Sequence, residues 1–148
     1  MMPQKKHSII VKADLQKVWN FVRSMNNWAP LVPGYIQHQI LSELVSTWEF
    51  KTDFGLFSKK IQLRVDILKW EEPSKVTFKL TGINEKFTGS GYFLAMPVSK
   101  KETKMTGYLK MEALGTFASV VNSMLDNKLD EITEELTISV CKKIESLS

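Results

Sequence analysis

The chain has 148 residues, 43% of them apolar, and 20 basic against 16 acidic residues give a net charge of +4. That length suits one domain, 1–148, which buries roughly 70% of the surface its unfolded form exposes and so needs no metal or disulfide staple. The one cysteine, Cys141, excludes an internal disulfide, a CxxC pair and a zinc quartet, and fits a reducing, cytoplasmic location.

The first residues, Met1 to Ser8, carry lysines but no apolar run ending in small residues, as a secretory signal would. Lys6–Lys12, with Ile9, Ile10 and Val11 at its heart, reads as a β-branched strand. Asp14 is placed to cap a helix over Leu15–Ser24, in which Val18, Trp19, Phe21 and Val22 follow at helical spacing. In Asn26–Gly34, Pro30, Pro33 and Gly34 leave room for one short helical turn and a bend.

From Tyr35 the apolar period becomes two. Tyr35–Glu43 and Val45–Phe54 read as consecutive strands, the second with Trp48, Phe50, Thr52 and Phe54 on one face. Lys59–Trp70 alternates Ile61, Leu63, Val65 and Ile67 with polar residues, Pro73 and Ser74 make a turn, and Lys75–Thr81 turns Val76, Phe78 and Leu80 inward. Both faces of Phe87–Pro97 carry apolar groups, so alternation leaves open whether Phe87 and Phe93 or Tyr92, Leu94 and Met96 point inward; Gly89 and Gly91 suggest a bend or bulge. Thr103–Ala113 is the last strand.

After Gly115 the period returns to 3.6. Phe117, Val121, Leu125, Leu129, Ile132, Leu136, Val140 and Ile144 trace one stripe along a helix of about thirty residues. Asp126, Asp130, Glu131, Glu134 and Glu135 lie opposite, and the drift from strict heptads argues against a coiled coil. A run of strands with helices segregated to the ends predicts an α+β fold: a curved antiparallel sheet of about seven strands wrapped around the long C-terminal helix, with one or two short helices after the first strand.

Charged residues interrupt every apolar stretch before about 18 residues, so no membrane span is expected. The lysine pairs at 5–6, 59–60, 100–101 and 142–143 fall at element ends and read as solvated rather than as a nucleic-acid patch, which needs cations gathered on one face. Peripheral contact with an anionic membrane surface stays open.

Catalytic patterning is thin. His7 and His38 stand far apart and read as ordinary strand residues, no metal-ligand spacing or phosphate loop occurs, and no cofactor is expected. Cys141, beside the apolar stripe, reads as an inert thiol. The apolar surplus is more informative. Trp48, Phe50, Leu63, Val65, Phe78, Tyr92, Met105, Leu109 and Met111 from the strands converge with Phe117, Val121, Met124 and Leu125 from the helix, and Trp28 and Leu31 are placed to close the mouth. A solid core and a ligand cavity both satisfy this pattern.

The order of these pieces resembles the START-like (SRPBCC) superfamily, whose helix-grip fold holds apolar molecules between sheet and C-terminal helix. Within it the chain is most similar to the G-subunit family of carbon monoxide dehydrogenase, through Val18–Trp19, Val32–Pro33–Gly34, Gly55, the glycine-containing strand Thr88–Tyr92, Thr103–Tyr108 and Gly115–Leu125. The resemblance spans nearly the whole chain and implies non-catalytic binding of a small lipid-like or aromatic ligand by the residues named above. It also implies a molybdenum hydroxylase of the carbon monoxide dehydrogenase type as partner. Membrane tethering by insertion is not expected, because Ser148 follows the helix directly with no apolar tail. Other superfamily members are cyclases or dehydratases; on that alternative Tyr92, Tyr108, His38 and Asp53 are the groups to test.

Overall fold

The computed structural model describes residues 3–53, 58–116 and 118–147; Phe54, Gly55 and Phe117 lie outside the described residues, and of Asp53 only the backbone is described. The first strand, β1 (Gln4–Val11), ends where Asp14 takes over: its Oδ1 accepts from the Lys17 amide at 2.8 Å and starts α1 (Leu15–Val22). Val18, Trp19, Phe21 and Val22 make the buried face of that helix. The expected turn after it is a short helix, α2 (Met25–Trp28), continued by a 3-10 turn over Ala29–Leu31. Gly34 closes the bend at φ +80°, and a Cβ there would collide with the Lys51 carbonyl, so the position requires glycine.

Six strands follow: β2 (Tyr35–Ile40), β3 (Val45–Asp53), β4 (Ser58–Glu71), β5 (Lys75–Gly82), β6 (Phe87–Ser99) and β7 (Glu102–Ala113). Each pairs antiparallel with its neighbour, and β1 joins the far side of β7, giving the order β1-β7-β6-β5-β4-β3-β2. The helical segment thus carries the chain from one edge of the sheet to the other. β2 stops three residues short of the expected Glu43, because the Val45 carbonyl accepts from the Leu41 and Ser42 amides and the Ser42 hydroxyl accepts from the Val45 amide, forming a turn.

Register answers the ambiguity in β6. Gly91 lies opposite Phe78 and Gly89 opposite Leu80, so Phe87, Gly89, Gly91, Phe93 and Ala95 share the inward face. Pairing runs without a shift through both glycines, which corrects the expected bend or bulge at that point. A Cβ at Gly91 would meet the Phe78 ring at 2.7 Å, and one at Gly89 the Met111 side chain at 3.2 Å. The glycines make room for large neighbours. The register shifts that do occur lie between Tyr35 and Gln37, between Ile67 and Lys69 and between Pro97 and Ser99.

The last element is α3 (Ala118–Ser146), 29 residues long. Its face departs from the expected stripe. Leu129, Val140 and Ile144 are buried as expected, but beside them lie Asn122, Thr133, Thr137 and Cys141, whereas Val121, Leu125, Ile132 and Leu136 stay partly exposed. The helix leans on β1 and β7 through its small and polar residues. Asn122 Oδ1 accepts from the Ala113 amide at 2.7 Å, and Thr137 Oγ1 stands 3.4 Å from where a Cβ on Gly107 would be. This close approach of helix to strand needs small side chains on both.

Two core clusters result. One joins α1, Val11, Ala95 and Met105 to Val140, Cys141 and Ile144 at the C-terminal half of α3, and so clamps that half of the helix. The other gathers the inward faces of β3 to β7 with Met25, Ala29 and Leu129.

Candidate functional site

Between the inward face of the sheet and the N-terminal half of α3 lies a cavity of about 610 Å³. Its floor is the alternating face of β4, Ile61, Leu63, Val65 and Ile67, flanked by Trp48 and Phe50 on β3, Val76, Phe78 and Leu80 on β5, and Leu109 and Met111 on β7. Its roof is Val121, Met124, Leu125, Leu129, Ile132 and Leu136. These roof residues explain the offset face of α3: having set its polar side against the β1–β7 edge, the helix anchors Leu129 in the core and lays Val121, Met124, Leu125, Ile132 and Leu136 along the cavity. A second hollow of about 120 Å³ shares Trp28, Val76, Phe78, Leu109, Ile132 and Leu136 with the first and extends toward Met105, Gly107 and Thr137.

The aromatic wall is fixed by its polar handles. Trp28 Nε1 donates to the Val22 carbonyl at 2.9 Å, and Trp48 Nε1 donates to Ser46 Oγ at 2.9 Å. With each indole N–H satisfied behind the wall, the two rings, 5.3 Å apart, present apolar surface to the hollow. Polar groups reach the cavity at one end, where β3 and β5 end, β4 and β6 begin, and β7 passes into α3: Thr52, Lys59, Glu85, Lys86, Thr116 and Lys128.

The sheet-and-helix grip of this order has close counterparts among solved structures. A conserved protein from Geobacillus kaustophilus superposes with a TM-score of 0.81 at 15% identity, over 97% of this chain and 95% of its own. An aromatase/cyclase from a Streptomyces species gives 0.76 at 14%, over 98% and 94%. A START superfamily protein from Mycobacterium smegmatis gives 0.76 at 14%, over 98% and 99%. A family model described simply as "-like" matches residues 2–146. The chain belongs to the family of that model. By sequence, no curated protein matches it. At these identities the structural likeness speaks for the fold: the START-like helix-grip with its seven-stranded antiparallel sheet.

Within this fold, Trp28, Trp48, Phe50, Leu63, Val65, Phe78, Leu109, Met111, Val121, Met124 and Leu125 all border the large cavity. Met105 borders the smaller hollow. Leu31 does neither and packs on the cluster around α1. Tyr92 also borders the smaller hollow, but it is paired with Tyr108, and their rings stack 5.0 Å apart on the face opposite Gly91 and Phe93. The Lys75 ammonium sits 4.8 Å from the Tyr92 ring on that same face.

Sequence reasoning missed Ile61, Ile67, Val76 and Leu80, which alternate in register with Leu63, Val65 and Phe78, and Ile132 and Leu136, which continue the helical stripe. Their signal is present in the apolar period of β4, β5 and α3. Trp70 and Val32 carried no such signal, since each stands at an element end.

The groups named for catalysis are dispersed. His38 Nδ1 accepts from Tyr35 Oη at 2.6 Å, and His38 Nε2 donates to Asn26 Oδ1 at 2.7 Å, which commits both ring nitrogens. This histidine borders a separate recess of about 250 Å³ with Gln37, Gln39 and Glu49. Tyr108 Oη donates to Gln4 Oε1 at 2.7 Å. Glu49 is held below the usual carboxylate range, first by the Gln37 side chain and then by Lys60. Burial, with Glu145 adding to it, pushes the Cys141 thiol up.

Proposed function

We propose that this protein binds a small apolar ligand, lipid-like or aromatic, in the cavity between the sheet and α3, and releases it unchanged. The observation that carries the reading is the roof: Val121, Leu125, Ile132 and Leu136 are partly exposed and line a cavity of about 610 Å³ between α3 and the strands. That volume lies within the range of small-molecule sites, roughly 300–1,000 Å³, and its interior offers apolar contact with polar groups confined to one rim. A binder without chemistry is favoured because none of His38, Tyr92 and Tyr108 lines the large cavity, and the His38 and Tyr108 polar atoms are engaged elsewhere. Native mass spectrometry of freshly purified protein tests it: a co-purified apolar compound, or uptake of a fatty acid or polycyclic aromatic probe, is expected. Persistent absence of any such complex overturns it.

Two finer readings rest on less. The likeness to an aromatase/cyclase supports a cyclase-type enzyme using the same cavity. That reading requires turnover that disappears when Tyr92, Tyr108, His38 or Asp53 is replaced. An accessory role beside a molybdenum hydroxylase of the carbon monoxide dehydrogenase type rests on sequence resemblance alone, and a pull-down from the host tests it. The buried lone thiol fits a cytoplasmic protein, and among the described residues no helix is long and apolar enough to cross a membrane.

A further inference from the structure

The polar rim of the cavity is not neutral. Among the described residues it carries three ammonium groups, Lys59, Lys86 and Lys128, against one carboxylate, Glu85. They come from three separate elements: Lys59 from the start of β4, Lys86 from the residue before β6, and Lys128 from α3. Lys59 is paired with Glu85, and Lys128 with Glu131 at 3.3 Å, the latter carboxylate facing solvent with 54% exposure. Lys86 has no ion-pair partner among the described residues. Among the described residues the rim thus holds a surplus of positive charge at the one end where the otherwise apolar lining turns polar.

From this asymmetry we infer that the ligand is a single-tailed amphiphile with an anionic head, a carboxylate or phosphate, seated at the Lys59–Lys86–Lys128 rim with its apolar body directed inward along β4 and under α3. The inference rests on the binding reading above and adds charge and orientation to it. Burying the tail supplies most of the affinity, in proportion to the apolar area withdrawn from water. The head needs no desolvation at the rim, where it meets ammonium groups that remain partly hydrated. The lysines therefore select the head and orient the molecule more than they tighten it. An uncharged amphiphile of the same length forgoes this attraction, and a cationic one meets repulsion.

Displacement of a polarity-sensitive apolar fluorophore, read at low ionic strength, tests this with ligands of one chain length: dodecanoate, dodecyl phosphate, dodecanol and dodecylammonium. Either anion is expected to bind about three- to tenfold more tightly than the alcohol, and the ammonium more weakly than both. The preference should shrink as salt is raised. Replacing two rim cations together, K86Q with K128Q, is expected to bring the anions down to the level of the alcohol, with thermal unfolding confirming that the variant is folded. The two anions against each other distinguish a carboxylate source from a phosphate one. Equal affinity of acid, alcohol and ammonium, or an anion preference that survives the double substitution, would overturn the inference while leaving the apolar cavity reading intact. Failure of all four to displace the probe, where the probe itself does not bind, would instead remove the binding reading beneath it.

Discussion

Single side chains in this protein are informative where burial and partnering disagree. Thr133 Oγ1 is buried with no hydrogen-bond partner among the described residues, while its own carbonyl accepts from Thr137 Oγ1 at 2.7 Å. An orphaned hydroxyl costs desolvation and returns nothing, so Thr133→Val is expected to be neutral or to stabilise by up to about 1 kcal/mol in denaturant unfolding. Asn122 is the opposite case. Its Oδ1 holds the Ala113 amide inside the protein, and Asn122→Ala should cost about 1–3 kcal/mol by the same measurement. Cys141, with its thiol shifted up by burial, is expected to react with iodoacetamide at pH 8 far more slowly than an unfolded control; equal rates would contradict the buried placement. For Glu49, whose carboxyl is lowered by Gln37 and Lys60, the linked stability is present above the ordinary carboxylate range and is lost as pH falls through the lowered value. The acid side of the stability profile should accordingly be shallower for Glu49→Gln than for the natural sequence.

Among the elements, α3 decides most. Leu129 is 1% exposed and packs into the core cluster, whereas Leu125, one turn earlier, hangs over the cavity. Leu129→Ala is expected to cost about 2–5 kcal/mol, the usual penalty for emptying a filled site. Leu125→Ala should cost clearly less, because part of what it loses is contact with a hollow; thermal unfolding of the pair measures the difference. Periodicity announced this helix and its length, and two-residue alternation announced β4 and β5, because a strong apolar period leaves little choice of face. It could not announce that Asn122, Thr133 and Thr137 would be the packed side. That choice depends on Gly107 and Ala113 lying across from them, a pairing between segments far apart in the chain. The same limit applied to β6: its two faces read alike until Phe78 and Leu80 of β5 took the space over Gly91 and Gly89. Ser42 shortened β2 through side-chain hydrogen bonds that no periodicity records.

At the scale of the whole molecule, the grip is built from a clamp and an overhang. The C-terminal half of α3 is fixed by α1 and by Val11, Ala95 and Met105, and the N-terminal half, anchored at Leu129, spans the cavity above a floor of β4 side chains. Whether these apolar residues form a solid centre or a hollow was undecided by composition, since both bury the same kinds of side chain. Only the placement of the helix settles the geometry of the space. The most direct test enlarges a residue at its middle. Leu109 borders both hollows, and in a filled core Leu109→Trp would cost about 1–3 kcal/mol through overpacking. The binding of an apolar fluorophore and the unfolding temperature should be measured together for the natural protein and L109W. The expected result is an unfolding temperature unchanged or raised, with probe binding lost; a clear fall in stability, or binding that persists at full strength, would contradict a ligand-sized cavity beneath α3.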